Sequence, residues 1–421
     1  MANSLPKYHT KTLPNGLQVV AIPMQNGTNV ISTNIIYKVG SANEQMGKSG
    51  IAHMLEHLNF KSTQNLKAGE FDEIVKRFGG VNNASTSFDY TQYFIKSSSK
   101  NLGKSLELFA ELMGNLKLLD EEFQPERDVV AEERRWRTDN NPMGYLQFRL
   151  FNNAYIYHPY HWTPIGFTND IKNWKIEDIK EFHSTYYQPK NAIILVAGDI
   201  SAEAVFESAE KYFGKIENKI EQIPEIHTTE PKLDGEKRAV IYKESEVEML
   251  AIAYHIPNFA HSDMVALSAI SELLSYGQSS RLQKKLIDEK KLVNSIYAYP
   301  LDLKYPGLFL IMAICNENVD AQKAEKEILA EIEKLKNELI SKDEIDKLII
   351  NTKAQYIFSL ESSSSVANLF SSYLARGDLE PLMKYEEEIN NLSKDKIQEI
   401  AKKYLNKQNS LTMILRKEDK K

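Results

Sequence analysis

The sequence is poor in cysteine and has no long apolar run. Cys315 is the one cysteine among 421 residues, which excludes an intramolecular disulfide framework. Its surroundings, FLIMAIC, predict a buried strand, so a structural thiol is favoured over a nucleophile. No apolar stretch reaches the roughly 20 residues that a membrane-spanning helix needs. With 42% apolar and 26% charged residues, the composition predicts a globular protein and excludes membrane-channel and transporter functions.

A strong charge of one sign is also missing. The 52 lysine and arginine residues are outnumbered slightly by 58 acidic residues, for a formal net charge of −6. No basic cluster stands apart from acidic neighbours, so no nucleic-acid partner is expected. The opening MANSLPKYHTKTLPNGLQVV lacks the basic and apolar regions of a secretory signal peptide. A cytoplasmic location is therefore expected, with the periplasm as the alternative if a leader has been removed.

Strand-like and helix-like patterns alternate along the chain and recur in its second half. The length suggests two to four domains, and the charged, proline-containing segment 219–240 is the predicted linker between domains 1–218 and 241–421. YYQPKNAIILVAGDI starts at Tyr186 and the similar YLNKQNSLTMILRKE at Tyr404, 218 positions later. We therefore predict an α/β fold of the α+β kind, with two homologous domains that each combine a sheet with helices.

The stretch IAHMLEHLNF contains the candidate metal-binding residues of the first half. On a predicted helix, His53 and His57 lie one turn apart on the same face, where both imidazoles can bind one cation, and Glu56 lies at the rim of that face. A catalytic zinc site needs a third protein ligand and an open position for water. A shift of 218 positions places Ser271 and Ser275 where the two histidines stand, so the second domain is predicted to lack metal ligands.

The later stretch PERDVVAEERR offers three candidates for the third ligand. Glu126 and Glu133 are seven positions apart and share a helix face, whereas Glu132 points about 100° away. Most glutamate-rich helices are solvated charged surfaces. Here the apolar VVA indicates partial burial, where an unpaired carboxylate would be costly. From the residues alone a metal site is expected, and its third ligand stays open among the three glutamates.

These motifs resemble those of the pitrilysin, insulysin and mitochondrial processing peptidase family. His53-x-x-Glu56-His57 is the inverted zinc motif of that group. The blocks VGSANEQMGKSGIAHMLEHLNFKST, FGGVNNASTSFDYTQYF, PERDVVAEERR and HPYHWTPIG follow in the family's order. The resemblance implies that Glu133 is the third ligand, that Glu126 is a further catalytic residue that supports the site, and that Glu132 is not a ligand.

The resemblance also implies an activity and a shape. We expect a zinc metalloendopeptidase that hydrolyses peptides or unfolded segments enclosed in a chamber, with this chain forming a half-clamshell. Zinc would lower the pKa of a water molecule, and Glu56 would accept its proton and pass it to the leaving amine. Residues 83–94, NASTSFDYTQYF, are predicted either as an edge strand that pairs with an extended peptide or as an ordinary core strand.

One departure from the family concerns the second half. Members that act within one molecule carry an arginine and a tyrosine, seven positions apart, that bind the substrate carbonyl. The matching positions here are Ile287 and Asn294, which cannot replace them, and a shifted pairing of Lys290 with Tyr297 requires moving the alignment by three. A dimer is therefore expected, in which a homologous zinc-free subunit supplies the donors. Two alternatives remain open: a non-catalytic assembly subunit, and a zinc enzyme that acts on something other than peptides.

Overall fold

The computed structural model describes residues 4–418, and these residues form two compact units. Within the described residues, unit 1 comprises 4–134, 158–228 and 357–379, and unit 2 comprises 135–157, 229–356 and 380–418. Each unit contains one β-sheet with packed helices. The mixed α/β class that the sequence predicts is confirmed.

The secondary structure alternates throughout the chain. The strands are β1 His9–Thr12, β2 Gln18–Pro23, β3 Val30–Tyr37, β4 Val81–Thr86, β5 Thr91–Ser98, β6 Ala192–Gly198, β7 Lys237–Lys243, β8 Met249–His255, β9 Val293–Leu301, β10 Leu308–Cys315 and β11 Ser410–Lys417. The α-helices are α1 Ile51–Leu58, α2 Glu70–Arg77, α3 Leu102–Asn115, α4 Asp120–Arg134, α5 Pro142–Ala154, α6 Thr168–Asn173, α7 Ile176–Tyr186, α8 Ala202–Phe213, α9 Met264–Ser275, α10 Ala321–Asn337, α11 Lys342–Phe358, α12 Ser363–Arg376, α13 Glu380–Asn390 and α14 Lys394–Tyr404. None of the helices within residues 4–418 is both long and apolar enough to cross a lipid bilayer.

The sheet of unit 1 has the strand order β1-β2-β6-β3-β5-β4. Only β2 and β6 pair in parallel; the other neighbours are antiparallel. Every residue of β6, AIILVAG, is buried, because a central strand covered on both faces reads as a continuous apolar run. By contrast β4 lies at the edge, and alternate residues along it are exposed.

The sheet of unit 2 repeats this arrangement. Its order is β7-β11-β8-β10-β9, which matches β2-β6-β3-β5-β4, and β7 pairs in parallel with β11 as β2 does with β6. β11 begins at Ser410, 218 positions after the first residue of β6, and α14 begins at Lys394, 218 positions after the first residue of α7. The internal repeat that the sequence indicates is therefore present in the fold.

The compact units differ from the predicted consecutive domains 1–218 and 241–421. The long helix α12 belongs to unit 1, where it packs on β3 and β6, and α5 belongs to unit 2, where it packs on β8 and β11. The boundary between residues 228 and 229 lies within the predicted linker 219–240. The sequence could not reveal this exchange, because helical periodicity shows that a face is apolar but not which sheet it covers.

Candidate metal centre

The beginning of α1 is fixed by a buried carboxylate. Glu44 accepts hydrogen bonds of 2.8 Å from the backbone N–H groups of Gly50 and Ala52, and another of 2.8 Å from the indole N–H of Trp162. These bonds satisfy donors that the first helical turn would otherwise leave unpaired. Gly50 has φ 91°, and a Cβ there would lie 2.6 Å from the Trp174 ring. Burial raises the pKa of Glu44 to about 8, against the three hydrogen bonds, which favour its ionised form.

The helix α1 presents its polar residues on one side. Its apolar side chains are buried in the core of unit 1: Ile51, Ala52, Met54, Leu55 and Leu58. His53, Glu56 and His57 are half-buried on the remaining face, and α1 packs against α4 and β4. An amphipathic helix with 3.6 residues per turn therefore places the three motif side chains on the side of α1 that is not buried in the core, where the histidines contact α4 and Glu56 contacts β4.

The helix α4 separates the three candidate glutamates as the family resemblance implies. Glu126 and Glu133 are half-buried and face α1, whereas Glu132 is exposed. Val130 is fully buried and lies four positions after Glu126 and three before Glu133, while Val129 is 51% exposed. The partial burial predicted from VVA is thus confined to one side of α4, and that side carries Glu126 and Glu133.

Three potential ligand atoms converge between α1 and α4. His53 Nε2 and His57 Nε2 are 3.3 Å apart, and Glu133 Oε2 lies 3.6 Å from the first and 3.4 Å from the second. Ligands held about 2.0–2.1 Å from a tetrahedral zinc ion lie about 3.3–3.4 Å from one another. Two imidazole nitrogens and a carboxylate oxygen therefore fit zinc in both kind and spacing. Among residues 4–418, this is the one group of His, Cys, Asp and Glu found with such convergence.

Glu126 orients His57 from behind the cluster. His57 Nδ1 lies 2.8 Å from Glu126 Oε1, so an N–H at Nδ1 donates to the carboxylate while Nε2 faces the other ligands. Burial lowers the pKa of His57, but hydrogen bonds to Glu126 and Glu133 outweigh it and raise the pKa to about 9. The hydrogen bond from His57, together with Lys61, lowers the pKa of Glu126 to about 2 despite burial. A cation that binds at Nε2 must therefore displace a proton.

Glu56 contacts the edge strand instead of the three converging atoms. The Thr86 hydroxyl donates a 2.5 Å hydrogen bond to Glu56 Oε2. Thr86 is the last residue of β4, and the predicted strand 83–94 is in fact divided between β4 and β5. The division arises because Ser87 turns the chain, with its N–H donating to the Tyr90 carbonyl oxygen and its own Oγ accepting from the N–H of Tyr90. Of these two strands, β4 lies at an edge of the sheet and β5 is internal.

The equivalent positions in unit 2 carry no ligand set. Ser271 and Ser275 lie on α9, where Ser275 Oγ bonds to the backbone of Ser271 and Ala298. Ser275 thus joins α9 to β9 through Ala298, whereas the Ser271 hydroxyl donates within α9, to the carbonyl oxygen of Ser268.

The residues at the positions of the family's arginine and tyrosine also lie in unit 2. Ile287 lies in the π-helical segment Gln283–Glu289, and Asn294 is exposed near the start of β9. In the shifted pairing, Lys290 Nζ forms a 2.5 Å ion pair with Glu327. The ring of Tyr297, 37% exposed, stacks on a neighbouring tyrosine of the same strand. Lys290 is thus already engaged by a carboxylate of its own unit.

Three residues of the site were missed by sequence reasoning: Glu44, Lys61 and Thr86. A signal existed for two of them. Glu44 is an acidic residue shortly before a helix start, where N–H groups need acceptors, and Lys61 lies four positions after His57, one helical turn further along. The contact between Thr86 and Glu56 joins elements 30 positions apart, and no local pattern indicates it.

Comparison with known proteins identifies the family. The model of Insulinase (Peptidase family M16) matches residues 19–162, and the model of the Peptidase M16 inactive domain matches residues 173–352. The chain is 55% identical to the zinc protease PqqE of Helicobacter pylori, over 98% of this chain and 93% of that protein. It is 24% identical to the mitochondrial-processing peptidase subunit beta of Bos taurus, over 96% of this chain and 83% of the relative.

Solved structures give the same result. The crystal structure of a protease from Helicobacter pylori has a TM-score of 0.97 at 55% identity, covering 98% of this chain and 100% of that one. A structure of the peptidase M16 inactive domain from Pseudomonas fluorescens shares the fold, with a TM-score of 0.86 at 18% identity over 97% of this chain and 98% of the other. The resemblance read from the zinc motif is thus confirmed, and the chain belongs to peptidase family M16, the insulinase and pitrilysin family.

Proposed function

We propose that this protein is a zinc metalloendopeptidase that hydrolyses peptides or unfolded polypeptide segments. One observation carries the proposal: His53 Nε2, His57 Nε2 and Glu133 Oε2 form a nearly equilateral triangle with sides of 3.3 to 3.6 Å. That spacing and donor set suit zinc. The name zinc protease, carried by the Helicobacter pylori relative at 55% identity, supports the same ion.

The roles of the residues follow from their positions. His53, His57 and Glu133 would hold zinc, which would supply Lewis-acid polarisation of a peptide carbonyl and lower the pKa of a water molecule. Glu56 lies on the same helix face but outside the triangle, so its carboxylate can take the proton from that water and deliver it to the leaving amine. The hydrogen bond from Thr86 holds the Glu56 carboxylate in one orientation.

The position of β4 at the edge of its sheet supports the proposal that the substrate binds as an extended peptide. It pairs with β5 on one side, and no strand within the described residues pairs with its other side. An extended peptide that added to this edge would form backbone hydrogen bonds whose strength depends little on sequence. Since β4 ends at Thr86, such a peptide would lie beside Glu56. This arrangement favours unfolded segments as substrates over folded proteins.

A partner-dependent enzyme is the second candidate, and one observation favours it. Ile287 has no donor, Asn294 is short, and Lys290 is paired with Glu327, so unit 2 offers no clear counterpart of the family's arginine and tyrosine. Loss of one donor to a developing oxyanion typically costs about 10²–10³-fold in turnover. We therefore propose that a homologous zinc-free subunit completes the site in a dimer, as the processing peptidases of the family suggest.

Cleavage of an unstructured, fluorescence-quenched peptide tests both proposals. Cleavage should stop when a chelator removes zinc and return when zinc is added back. The proposed peptidase activity would be contradicted by cleavage that continues in the presence of the chelator. It would also be contradicted by a protein that binds zinc but cleaves no peptide, either alone or with a partner. A homologous zinc-free subunit should raise the rate strongly. The double variant Ile287→Arg with Asn294→Tyr should raise the rate of the isolated chain. Full activity of the isolated wild type, unchanged by the partner, would rule out partner dependence.

A further inference from the structure

We propose that Lys61 is a positioning residue of the metal centre, acting on His57 through Glu126. The inference rests on the proposed zinc site and extends it by one residue. Lys61 touches none of the three converging atoms. Its effect is instead transmitted by the carboxylate that lies between its ammonium group and the imidazole of His57.

The geometry shows a chain of two short polar contacts. Lys61 Nζ lies 2.6 Å from Glu126 Oε2, and Glu126 Oε1 lies 2.8 Å from His57 Nδ1. Each oxygen of the carboxylate therefore has its own charged or N–H partner. The Glu126 side chain is 13% exposed and that of Lys61 is 31% exposed. Partial removal from water strengthens both contacts compared with surface ion pairs.

The backbone brings Lys61 to this position. Its N–H donates to the Leu58 carbonyl oxygen at 3.0 Å, so the chain makes one further turn directly after α1. Lys61 consequently follows His57 by one helical turn, and both side chains reach the same carboxylate of α4. The spacing of His57, Lys61 and Glu126 is thus set by the end of one helix and the face of another.

Two partners fix a glutamate more firmly than one. The terminal torsion of a glutamate side chain is broad and weakly restrained, so a carboxylate held only through Oε1 can rotate about its long axis. The salt bridge at Oε2 removes that freedom. The orientation of a metal-binding histidine depends on the hydrogen bond at its other ring nitrogen. Removing the Lys61 ammonium should therefore loosen the His57 ring and weaken zinc binding.

The neighbouring residue provides a matched control. Ser62 also joins the turn after α1 to α4: its N–H donates to Glu122 Oε2 at 3.3 Å, and its hydroxyl donates to Glu122 Oε1. Glu122 lies one turn before Glu126 on α4. Ser62→Ala removes the hydroxyl contact between the same turn and the same helix without touching Glu126, and leaves the backbone N–H bond to Glu122 in place. A purely structural role for Lys61 predicts that the two variants behave alike.

The experiment compares Lys61→Met, Lys61→Arg and Ser62→Ala in the full chain. Zinc dissociation constants are measured by competition with a chromophoric chelator, and thermal unfolding of the metal-free proteins reports their stability. Partners that orient metal-binding histidines typically contribute about 10–100-fold in affinity, so Lys61→Met should weaken zinc binding about tenfold at least. Lys61→Arg should recover most of the affinity, and Ser62→Ala should bind zinc like the wild type.

The outcomes separate this inference from the proposed function. A wild-type protein that binds no zinc would overturn the function, and the role of Lys61 with it. Zinc binding by the wild type together with unchanged affinity in Lys61→Met would overturn only the role of Lys61. An equal loss of zinc affinity in Lys61→Met and Ser62→Ala would show that Lys61 only holds the turn after α1 against α4, and would also overturn its positioning role. If Lys61→Met does not fold, Lys61→Gln replaces it under the same expectations.

Discussion

Thr86 donates a hydrogen bond of 2.5 Å from its hydroxyl to Oε2 of Glu56. Thr86 ends the edge strand β4, and Glu56 lies on the helix that carries both histidines. One contact therefore joins the strand that would hold an extended peptide to the carboxylate that would move a proton during its cleavage. Under the proposed function, substrate alignment and proton transfer would therefore take place side by side, and each can be tested separately from metal binding.

Glu56→Gln should abolish peptide cleavage without releasing zinc. Glutamine keeps the shape of glutamate but cannot accept the proton, and a general base contributes about 10²–10⁴-fold to turnover. Peptide cleavage and zinc content are measured on the same preparation. Glu132→Gln, on the exposed side of α4, is the control and should remain active. Loss of zinc in Glu56→Gln would mean that Glu56 is a ligand and that its assignment as the base is wrong.

Thr86→Val should slow turnover while zinc binding stays unchanged. Valine retains the branched shape of threonine and lacks the hydroxyl that holds the Glu56 carboxylate. We expect kcat to fall about tenfold, equivalent to about 1.4 kcal/mol, which lies at the lower end for a hydrogen bond to a charged group. Ser85→Ala, at an exposed neighbouring position of β4, is the control. Equal kcat values for the two variants would show that the Thr86 contact has no role in turnover.

Glu44 should make folding stability depend on pH. Burial raises its pKa from 4.5 to about 8, so between these values the folded protein holds a proton that the unfolded chain has released. The contribution of Glu44 to the free energy of unfolding is then full below 4.5 and falls as the pH rises toward 8. Glutamine cannot titrate, so the variant Glu44→Gln lacks this decline.

The measurement is urea unfolding of wild type and Glu44→Gln across that pH range, with a chelator present so that zinc binding does not contribute. Asp170, whose charge also raises the pKa of Glu44, is present in both proteins, so the difference between the two curves isolates Glu44. The wild type should lose more stability than the variant as the pH rises. Parallel curves would show that Glu44 is ionised throughout and that its three hydrogen bonds outweigh burial.

Much of the fold could be predicted because its elements have strong local patterns. The buried strand β6 is a continuous apolar run and β3 is rich in β-branched residues, and the two stretches 218 positions apart correspond to β6 and β11. The exchange of α5 and α12 between the compact units could not be predicted, since an amphipathic helix shows only that one face needs covering. That choice is made by contacts between residues far apart in sequence.

The site residues likewise divide into those that local sequence patterns predict and those that they leave open. His53 and His57 follow from their spacing on one helix, but the residues alone left Glu126, Glu132 and Glu133 open. The deciding fact is that Val130 is buried while Val129 is 51% exposed, and two adjacent valines give no local sign of which one faces the core. Family resemblance supplied the choice that periodicity could not.

The most direct test of the metal centre is the zinc content of Glu133→Ala compared with that of Glu132→Ala. These adjacent glutamates on α4 differ in that Glu133 is half-buried beside both histidines and Glu132 is exposed. We predict about one zinc per chain in the wild type, as expected for a single catalytic site, the same content in Glu132→Ala, and loss of zinc in Glu133→Ala. Full zinc content in Glu133→Ala, with loss in Glu132→Ala or in neither, would contradict this prediction.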